Sequence, residues 1–280
     1  MSSTSKFQNA LSIIEKTFEK LKTSNKAALI TFITAGDPNF HTSKRVLLDL
    51  PDAGADLIEI GIPFSDPMAD GEVIQKSYKK ALKNGINIEK VLELVRVFRR
   101  KNSYTPIILM GYYNPIYQKG IKKFLKEAEE AGVDGMLIVD FPPENDSEID
   151  MYLENSNINF IRLATPTTDR KRLSKILKLS SGFLYYVSMT GITGSKLANL
   201  ENVRGIYQKL KSYSKIPVVV GFGITTPDQA KNVSKYADGV VVGSAIVNEL
   251  NKVIDKNSDI NNNIKKLVKS FSKAVKTSRN

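Results

Sequence analysis

Eight short apolar runs, most of them rich in β-branched residues, recur along the 280-residue chain. The runs are Ala28–Ile33, Ala55–Ile60, Pro106–Met110, Gly135–Val139, Asn159–Leu163, Phe183–Val187, Ile216–Val220 and Gly239–Val242. Most are too apolar for a strand with one face in water, so they predict strands buried on both faces of a parallel sheet. This limits the chain to an α/β fold.

Helical patterns separate most of these runs, and the clearest are Val91–Phe98, Ile121–Glu130 and Thr226–Lys235. A further amphipathic pattern precedes the first run. Eight strand–helix units within about 250 residues predict a (β/α)8 TIM barrel, with a doubly wound open sheet as the alternative. We expect one domain over residues 1–280, with an N-terminal helix at about 5–22 and the barrel at about 27–280.

A weak internal repeat agrees with this organisation. Ala53–Asp56, Ala131–Gly135 and Tyr236–Gly239 each lead into an apolar run. Each is interpreted as the tight turn from a helix end into the next strand, where glycine is expected.

The composition excludes several kinds of site. Cys is absent and His41 is the only histidine, so a zinc site built on Cys or His is excluded, no metal site is expected, and a Ser-His-Asp triad would have to use that histidine. No run approaches the roughly 18 apolar residues that a membrane span needs. The net charge of +12 is spread along the chain without interleaved aromatic residues, which indicates a solvated surface rather than a nucleic-acid site.

One apolar run carries a carboxylate where a charge is rarely placed. Glu59 lies within Leu57–Ile60, and burial of an unpaired charge should raise its pKa towards neutral. A loop rich in Pro and Gly follows and delivers Asp70. In a barrel both lie at the carboxyl ends of strands, where catalysis takes place, so the pair predicts an acid–base site. A salt-bridged strand end is the alternative for Glu59, and Asp37, before Pro38, is interpreted as a turn residue.

The last two runs end in glycine-containing segments that favour an anion. Gly221–Ile224 follows the seventh run, and Gly243–Ile246 follows the eighth. Glycine lets backbone N–H groups approach a ligand, and the loops after strands seven and eight of such barrels often bind phosphate. Gly191–Ser195, after the sixth run, would complete the cradle or form a lid.

These residues together resemble the tryptophan synthase alpha subunit family. Its signature, apolar-Glu-apolar-Gly-x-x-aromatic-Ser-Asp-Pro-apolar-Ala-Asp-Gly, is met without a gap by Ile58–Gly71. The similarity covers nearly the whole chain, in order, through Phe32–Pro38, Leu109–Pro115, Gly191–Gly194, Gly221–Ile224 and Gly243–Val247.

The resemblance implies a lyase that cleaves indole-3-glycerol phosphate to indole and glyceraldehyde 3-phosphate. Glu59 would protonate indole C3 and remove the proton of the glycerol hydroxyl, and Asp70 would accept the indole N–H. The substrate contacts implied are Phe32, Met110, Tyr185, Thr193, Gly194, Gly221, Gly223, Ile224, Gly243 and Ser244.

The resemblance also implies a partner. A beta subunit would take the indole through a tunnel and join it to serine for tryptophan synthesis, in an assembly of two alpha and two beta chains. The cofactor, pyridoxal phosphate, would belong to that partner, and this chain would hold none. The interface would include Pro63, Asp66, Pro67, Asn114 and Pro115. Two segments, Leu50–Asp56 and Tyr185–Ser188, look most like alphaproteobacterial members, which indicates a bacterial cytoplasm.

Two other functions are open on the residues alone. One is a different phosphate-binding barrel enzyme, such as a sugar-phosphate isomerase, although the full signature from Glu59 to Asp70 argues against it. The other is a non-catalytic interaction subunit or a basic nucleic-acid binder, because the loop segments Pro63–Pro67 and Tyr113–Ile116 could serve a protein interface without any chemistry and the net charge is +12.

Overall fold

The eight apolar runs form eight parallel strands that close into a barrel. The computed structural model describes residues 11–143, 149, 152–153, 156–188, 200–221, 223–255 and 259–279. The strands, β1 to β8, are Ala28–Thr34, Leu57–Gly61, Ile107–Gly111, Gly135–Ile138, Asn159–Ala164, Leu184–Val187, Val218–Gly221 and Gly239–Val242. Each pairs with the next, and β8 pairs with β1. The TIM barrel is confirmed, and the open sheet is wrong because this last pairing removes both sheet edges.

Helices surround the barrel. Those in the described ranges, α1 to α11, are Ile13–Thr23, Phe40–Asp49, Glu72–Lys83, Ile88–Arg99, Tyr113–Lys119, Ile121–Ala131, Arg170–Lys178, Leu200–Tyr213, Pro227–Ser234, Ser244–Asp255 and Ile260–Lys276. The three clearest helical patterns in the sequence lie in α4, α6 and α9. None of the described helices is long and apolar enough to cross a membrane.

The N-terminal helix covers the amino end of the barrel. α1 begins at Ile13 because Ser12 and Glu15 form a reciprocal capping box, which satisfies two N–H groups that the helix leaves open. The Phe18 ring lies 5.6 Å from that of Phe183, just before β6. The helix was expected at about 5–22, and its predicted part before residue 11 lies outside the described residues.

Side chains on each strand alternate between two layers. On β2, Leu57 and Glu59 point into the barrel, whereas Ile58 and Ile60 belong to the apolar layer between sheet and helices. The strand is buried along its whole length, which explains its nearly continuous apolar sequence.

A polar clamp fastens the amino ends of β1 and β2. The Asp56 carboxylate, just before β2, accepts a hydrogen bond of 2.7 Å from the N–H of Leu29 in β1 and forms an ion pair with Lys276 of α11. Asp134, just before β4, likewise accepts a 2.7 Å bond from the first N–H of β3 and pairs with Arg99 of α4. We call this arrangement the amino-end clamp.

The other two strand pairs carry the same clamp in full or in part. Asp238, before β8, accepts a 2.7 Å bond from the N–H of Val218 and pairs with Lys211 at 2.7 Å. Between β5 and β6 a hydroxyl takes the place of the carboxylate, because Ser181 accepts a 2.8 Å bond from the N–H of Phe160. The aspartates of the three sequence repeats are therefore structural, at the end of the barrel away from the chemistry.

Candidate active site

Glu59 lies on the inner face of β2, in register with Phe32 of β1 and Ile108 of β3. Its side chain is fully buried, and within the described part of the chain neither carboxyl oxygen has a hydrogen-bond partner. Burial raises its pKa from 4.5 to about 8. At neutral pH Glu59 is therefore mostly a protonated acid that can give up its proton, and the carboxylate that remains can then take one.

Asp70 is held at the start of α3 by a tyrosine from another strand. The Tyr112 hydroxyl, just after β3, donates a 2.7 Å hydrogen bond to Oδ2 of Asp70 and accepts one of 3.1 Å from the N–H of Ala69. The carboxylate is 6% exposed. Burial raises its pKa from 3.8 to about 6, and the Tyr112 bond opposes that rise. Asp70 is thus charged at neutral pH while Glu59 is not.

Glu59 and Asp70 both face one cleft at the carboxyl end of the barrel. Seven of the predicted substrate contacts also line it: Phe32, Met110, Tyr185, Gly223, Ile224, Gly243 and Ser244. Its walls are mostly apolar, which suits a ligand with an apolar part. In the described ranges no group of three or more His, Cys, Asp or Glu could hold a metal ion.

The end of the cleft that the sequence predicts to bind an anion lies between the last residue of β8 and the first of α10. Gly243 and Ser244 line the cleft, and α10 begins at Ser244. The first turn of a helix presents N–H groups and partial positive charge, which favours a phosphate. Gly223, which also lines the cleft, has φ of +83°, a backbone conformation that glycine adopts without strain.

Gly221 and Tyr185 form a packed pair. A Cβ on Gly221 would come within 2.2 Å of the Tyr185 hydroxyl oxygen, so the glycine makes room for that side chain and is not itself among the residues lining the cleft. Two other predicted contacts, Thr193 and Gly194, lie outside the described residues, as does the rest of Gly191–Ser195.

The five predicted interface residues differ in exposure. Asp66 and Asn114 are exposed, and Pro115 is half-buried. Pro63 and Pro67 are buried in the loop that leads from β2 to Asp70, so they shape this loop rather than face solvent.

Asp37 has a second role besides its turn. It is 1% exposed, accepts a hydrogen bond from the Ser77 hydroxyl of α3, and lies 3.4 Å from the Lys80 ammonium. It therefore ties the loop after β1 to the helix that begins behind Asp70. Asp140, which follows β4, instead accepts a 2.7 Å bond from the N–H of Tyr113 at the start of α5.

Four residues of the site were missed from the sequence. Ile74 of α3 and Val241 of β8 line the cleft, Tyr112 holds Asp70, and Tyr78 lies buried beside the carboxylates. For Ile74 and Tyr78 a signal existed, because they stand four and eight residues after Asp70, on the face of an amphipathic helix that packs on the barrel.

The chain as a whole is similar to known proteins of one family. Residues 18–276 match the family model described as tryptophan synthase alpha chain. The tryptophan synthase alpha subunit of Legionella pneumophila str. Paris is 40% identical, with a TM-score of 0.90 over 95% of this chain and 99% of that one. A protein of Aquifex aeolicus VF5 is 35% identical, with a TM-score of 0.86 over 95% of this chain and all of that one. A ligand-free tryptophan synthase of M. tuberculosis is 28% identical, with a TM-score of 0.85 over 95% and 99% of the two chains. These matches confirm the resemblance that the sequence carries, and they do not support the two alternative functions.

Proposed function

This chain belongs to the tryptophan synthase alpha chain family, whose members are lyases that cleave indole-3-glycerol phosphate, and we propose that Glu59 and Asp70 carry out the cleavage. One observation supports the proposal above all others. A protonated, fully buried carboxylic acid and a charged carboxylate line the same apolar cleft.

Glu59 would move both protons of the reaction. Direct cleavage would leave an aryl carbanion, a very poor leaving group, so the acid first gives its proton to indole C3. The bond between C3 and the glycerol carbon then breaks, and its electron pair restores the indole. The glycerol carbon becomes a carbonyl as its hydroxyl proton passes to the Glu59 carboxylate, which regenerates the acid. A pKa of about 8 suits one group to both steps near neutral pH.

Asp70 would act through its charge. Its carboxylate would accept the indole N–H and stabilise the positive charge that develops on nitrogen when C3 is protonated. Tyr112 holds one carboxylate oxygen at 2.7 Å, so the charge is oriented before the substrate binds.

The remaining wall residues would position the substrate. Phe32, Met110 and Ile224 would pack on the indole plane, with Tyr185 beside Glu59. Gly223, Gly243 and Ser244 would hold the phosphate at the start of α10, together with Thr193 and Gly194 as the resemblance implies.

The family also suggests a partner for this chain. We propose that a beta subunit receives the indole and supplies pyridoxal phosphate, in an assembly of two alpha and two beta chains in the bacterial cytoplasm. This chain would then need no cofactor of its own. The exposed Asp66 and Asn114, with the half-buried Pro115, would belong to the contact surface, and the buried Pro63 and Pro67 would fix its shape.

The test is indole release from indole-3-glycerol phosphate by the purified chain, with and without a beta subunit. We expect slow release that rises strongly when beta is added. Glu59→Gln should lose at least about 100-fold of the rate, the lower range for general acid–base catalysis. Glu93→Gln, an exposed change on α4, is the matched control and should keep the full rate. Near-normal release by Glu59→Gln would overturn the assignment of Glu59.

A further inference from the structure

The hydroxyl of Tyr78 occupies the space of a missing side chain on β2. A Cβ on Gly61 would lie 2.7 Å from the Tyr78 hydroxyl oxygen and 2.6 Å from the Phe32 ring. Gly61 follows Glu59 by two residues, so both positions face the inside of the barrel. The hydroxyl of Tyr78 therefore lies inside the barrel, one step from Glu59 towards the carboxyl end.

This hydroxyl and the Glu59 carboxyl are buried together without partners. Tyr78 and Glu59 are both fully buried. Among the described residues, the Tyr78 hydroxyl and both Glu59 oxygens have no hydrogen-bond partner. Buried polar atoms are nearly always bonded, and each exception in a native protein calls for an explanation. The two groups are not hydrogen-bonded to each other in this structure, although the Tyr78 hydroxyl lies beside position 61, the next inward-facing position after Glu59, and one group is a donor where the other is an acceptor.

The surroundings keep Tyr78 a hydrogen-bond donor. Burial raises its pKa well above the ordinary value, and the charges of Asp70, Tyr112 and Glu59 raise it further. The phenol therefore stays neutral whenever a carboxylate beside it is charged. The other titratable groups that line the cleft with Glu59 are Asp70, which is charged at neutral pH, and Tyr185 of β6, whose pKa burial also raises. No described cation is paired with Glu59, so phenols rather than positive charges are available to support its charged form.

We propose that Tyr78 is a positioning residue that donates a hydrogen bond to the Glu59 carboxylate during the interval in which Glu59 has given up its proton. The inference rests on the proposed function for the timing of that interval. The proton on Glu59 leaves for indole C3, and the carboxylate left behind is buried until it takes the glycerol hydroxyl proton. A phenol donor at this point stabilises the charge without removing it, because its own proton stays on the tyrosine.

The proposal predicts different effects of losing the Tyr78 hydroxyl on kcat and on KM. The Tyr78 hydroxyl is not among the atoms lining the cleft, so its loss should leave KM nearly unchanged. The charged form of Glu59 should become less stable, so kcat should fall about 10- to 100-fold, the range for one hydrogen bond to a charged group. The pKa of Glu59 should rise, because a donor to a carboxylate favours its charged form.

The experiment compares two isosteric hydroxyl deletions. Tyr78→Phe removes the proposed donor, and Thr31→Val removes a buried hydroxyl on β1 that also lacks a described partner. Thr31 is in register with Ile58, on the outer face of the barrel, away from Glu59. The titration of Glu59 is followed by infrared difference spectroscopy of its carboxyl group, using Glu59→Gln to identify the band. Thermal midpoints and kcat and KM for indole release are measured alongside.

We expect Tyr78→Phe to fold with an equal or higher thermal midpoint, to titrate Glu59 at higher pH, and to lose kcat with KM retained. Thr31→Val should leave the Glu59 titration, kcat and KM unchanged. An unchanged Glu59 titration in folded Tyr78→Phe would overturn the inference. If Tyr78→Phe fails to fold, Gly61→Ala displaces the same hydroxyl and should give the same titration change. The infrared measurement needs no substrate, so a chain without lyase activity that still shows the change would refute the proposed function alone.

Discussion

Glu59→Gln should make the protein more stable as it makes the enzyme inactive. The pKa of Glu59 is 4.5 when it is exposed and about 8 in the folded barrel. Below pH 4.5 the group is protonated in both states, and its neutral form is the one that the fold accommodates. Between pH 4.5 and 8 only the unfolded chain ionises, so the free energy of unfolding falls by about 1.4 kcal/mol per pH unit.

Relative to its value below pH 4.5, the free energy of unfolding of the wild type should therefore be lower by about 3 kcal/mol at pH 7 and by about 5 kcal/mol above pH 8, both as order-of-magnitude values. Glutamine does not titrate, so the variant avoids this loss. The raised pKa of Asp70 acts equally in both proteins and cancels from the difference.

The assay is urea unfolding of Glu59→Gln and wild type at pH values between 5 and 8. The stability difference should grow in favour of the variant as pH rises, and Glu93→Gln should show no such trend. The difference between pH values removes any constant effect of the amide itself. A stability difference that stays flat across this range would refute the conclusion that Glu59 is buried as a neutral acid.

Three further predictions concern neighbouring residues. The pH profile of kcat/KM should have an acid limb from Asp70 near pH 6 and a basic limb from Glu59 near pH 8. In the wild type the Tyr112 hydrogen bond lowers the pKa of Asp70, so Tyr112→Phe should raise that pKa and move the acid limb to higher pH. Gly221→Ala should destabilise by about 1–3 kcal/mol in urea unfolding, since its Cβ meets the Tyr185 hydroxyl; no change would mean that this ring moves freely. Asp134→Ala should cost about 1–3 kcal/mol, because the half-buried Arg99 loses its carboxylate and the N–H of Ile107 loses its acceptor, whereas the exposed Asp66→Ala should cost little; equal losses would contradict the clamp.

The strands and the buried acid could be predicted because their signals are local. A strand buried on both faces needs an apolar run whatever its neighbours are, and a Glu inside such a run must be buried wherever that strand lies. The carboxyl ends of Glu59's strand and of β7 and β8 meet because the topology brings them together.

The residues around the acid could not be predicted, because their roles depend on contacts between distant parts of the chain. Tyr112 reaches Asp70 across 42 positions, and Ser77 reaches Asp37 across 40. An Asp before a proline has the same local pattern whether its carboxylate faces water or a helix, so the burial of Asp37 left no signal. Gly221 shows the same limit, since glycine can make room for a ligand or for a tyrosine.

The amino-end clamps differ in when they can form during synthesis of the chain. The clamp of β3 and β4 takes its cation from α4 and that of β7 and β8 from α8, in each case the helix just before the pair. For β1 and β2 the corresponding helix around the barrel is α11, the last of the described helices, which supplies Lys276 to Asp56. The first two strands leave the ribosome early, yet their ion pair can form only after α11 has been made. The amino ends of β1 and β2 are therefore clamped later than those of the two other ion-paired strand pairs.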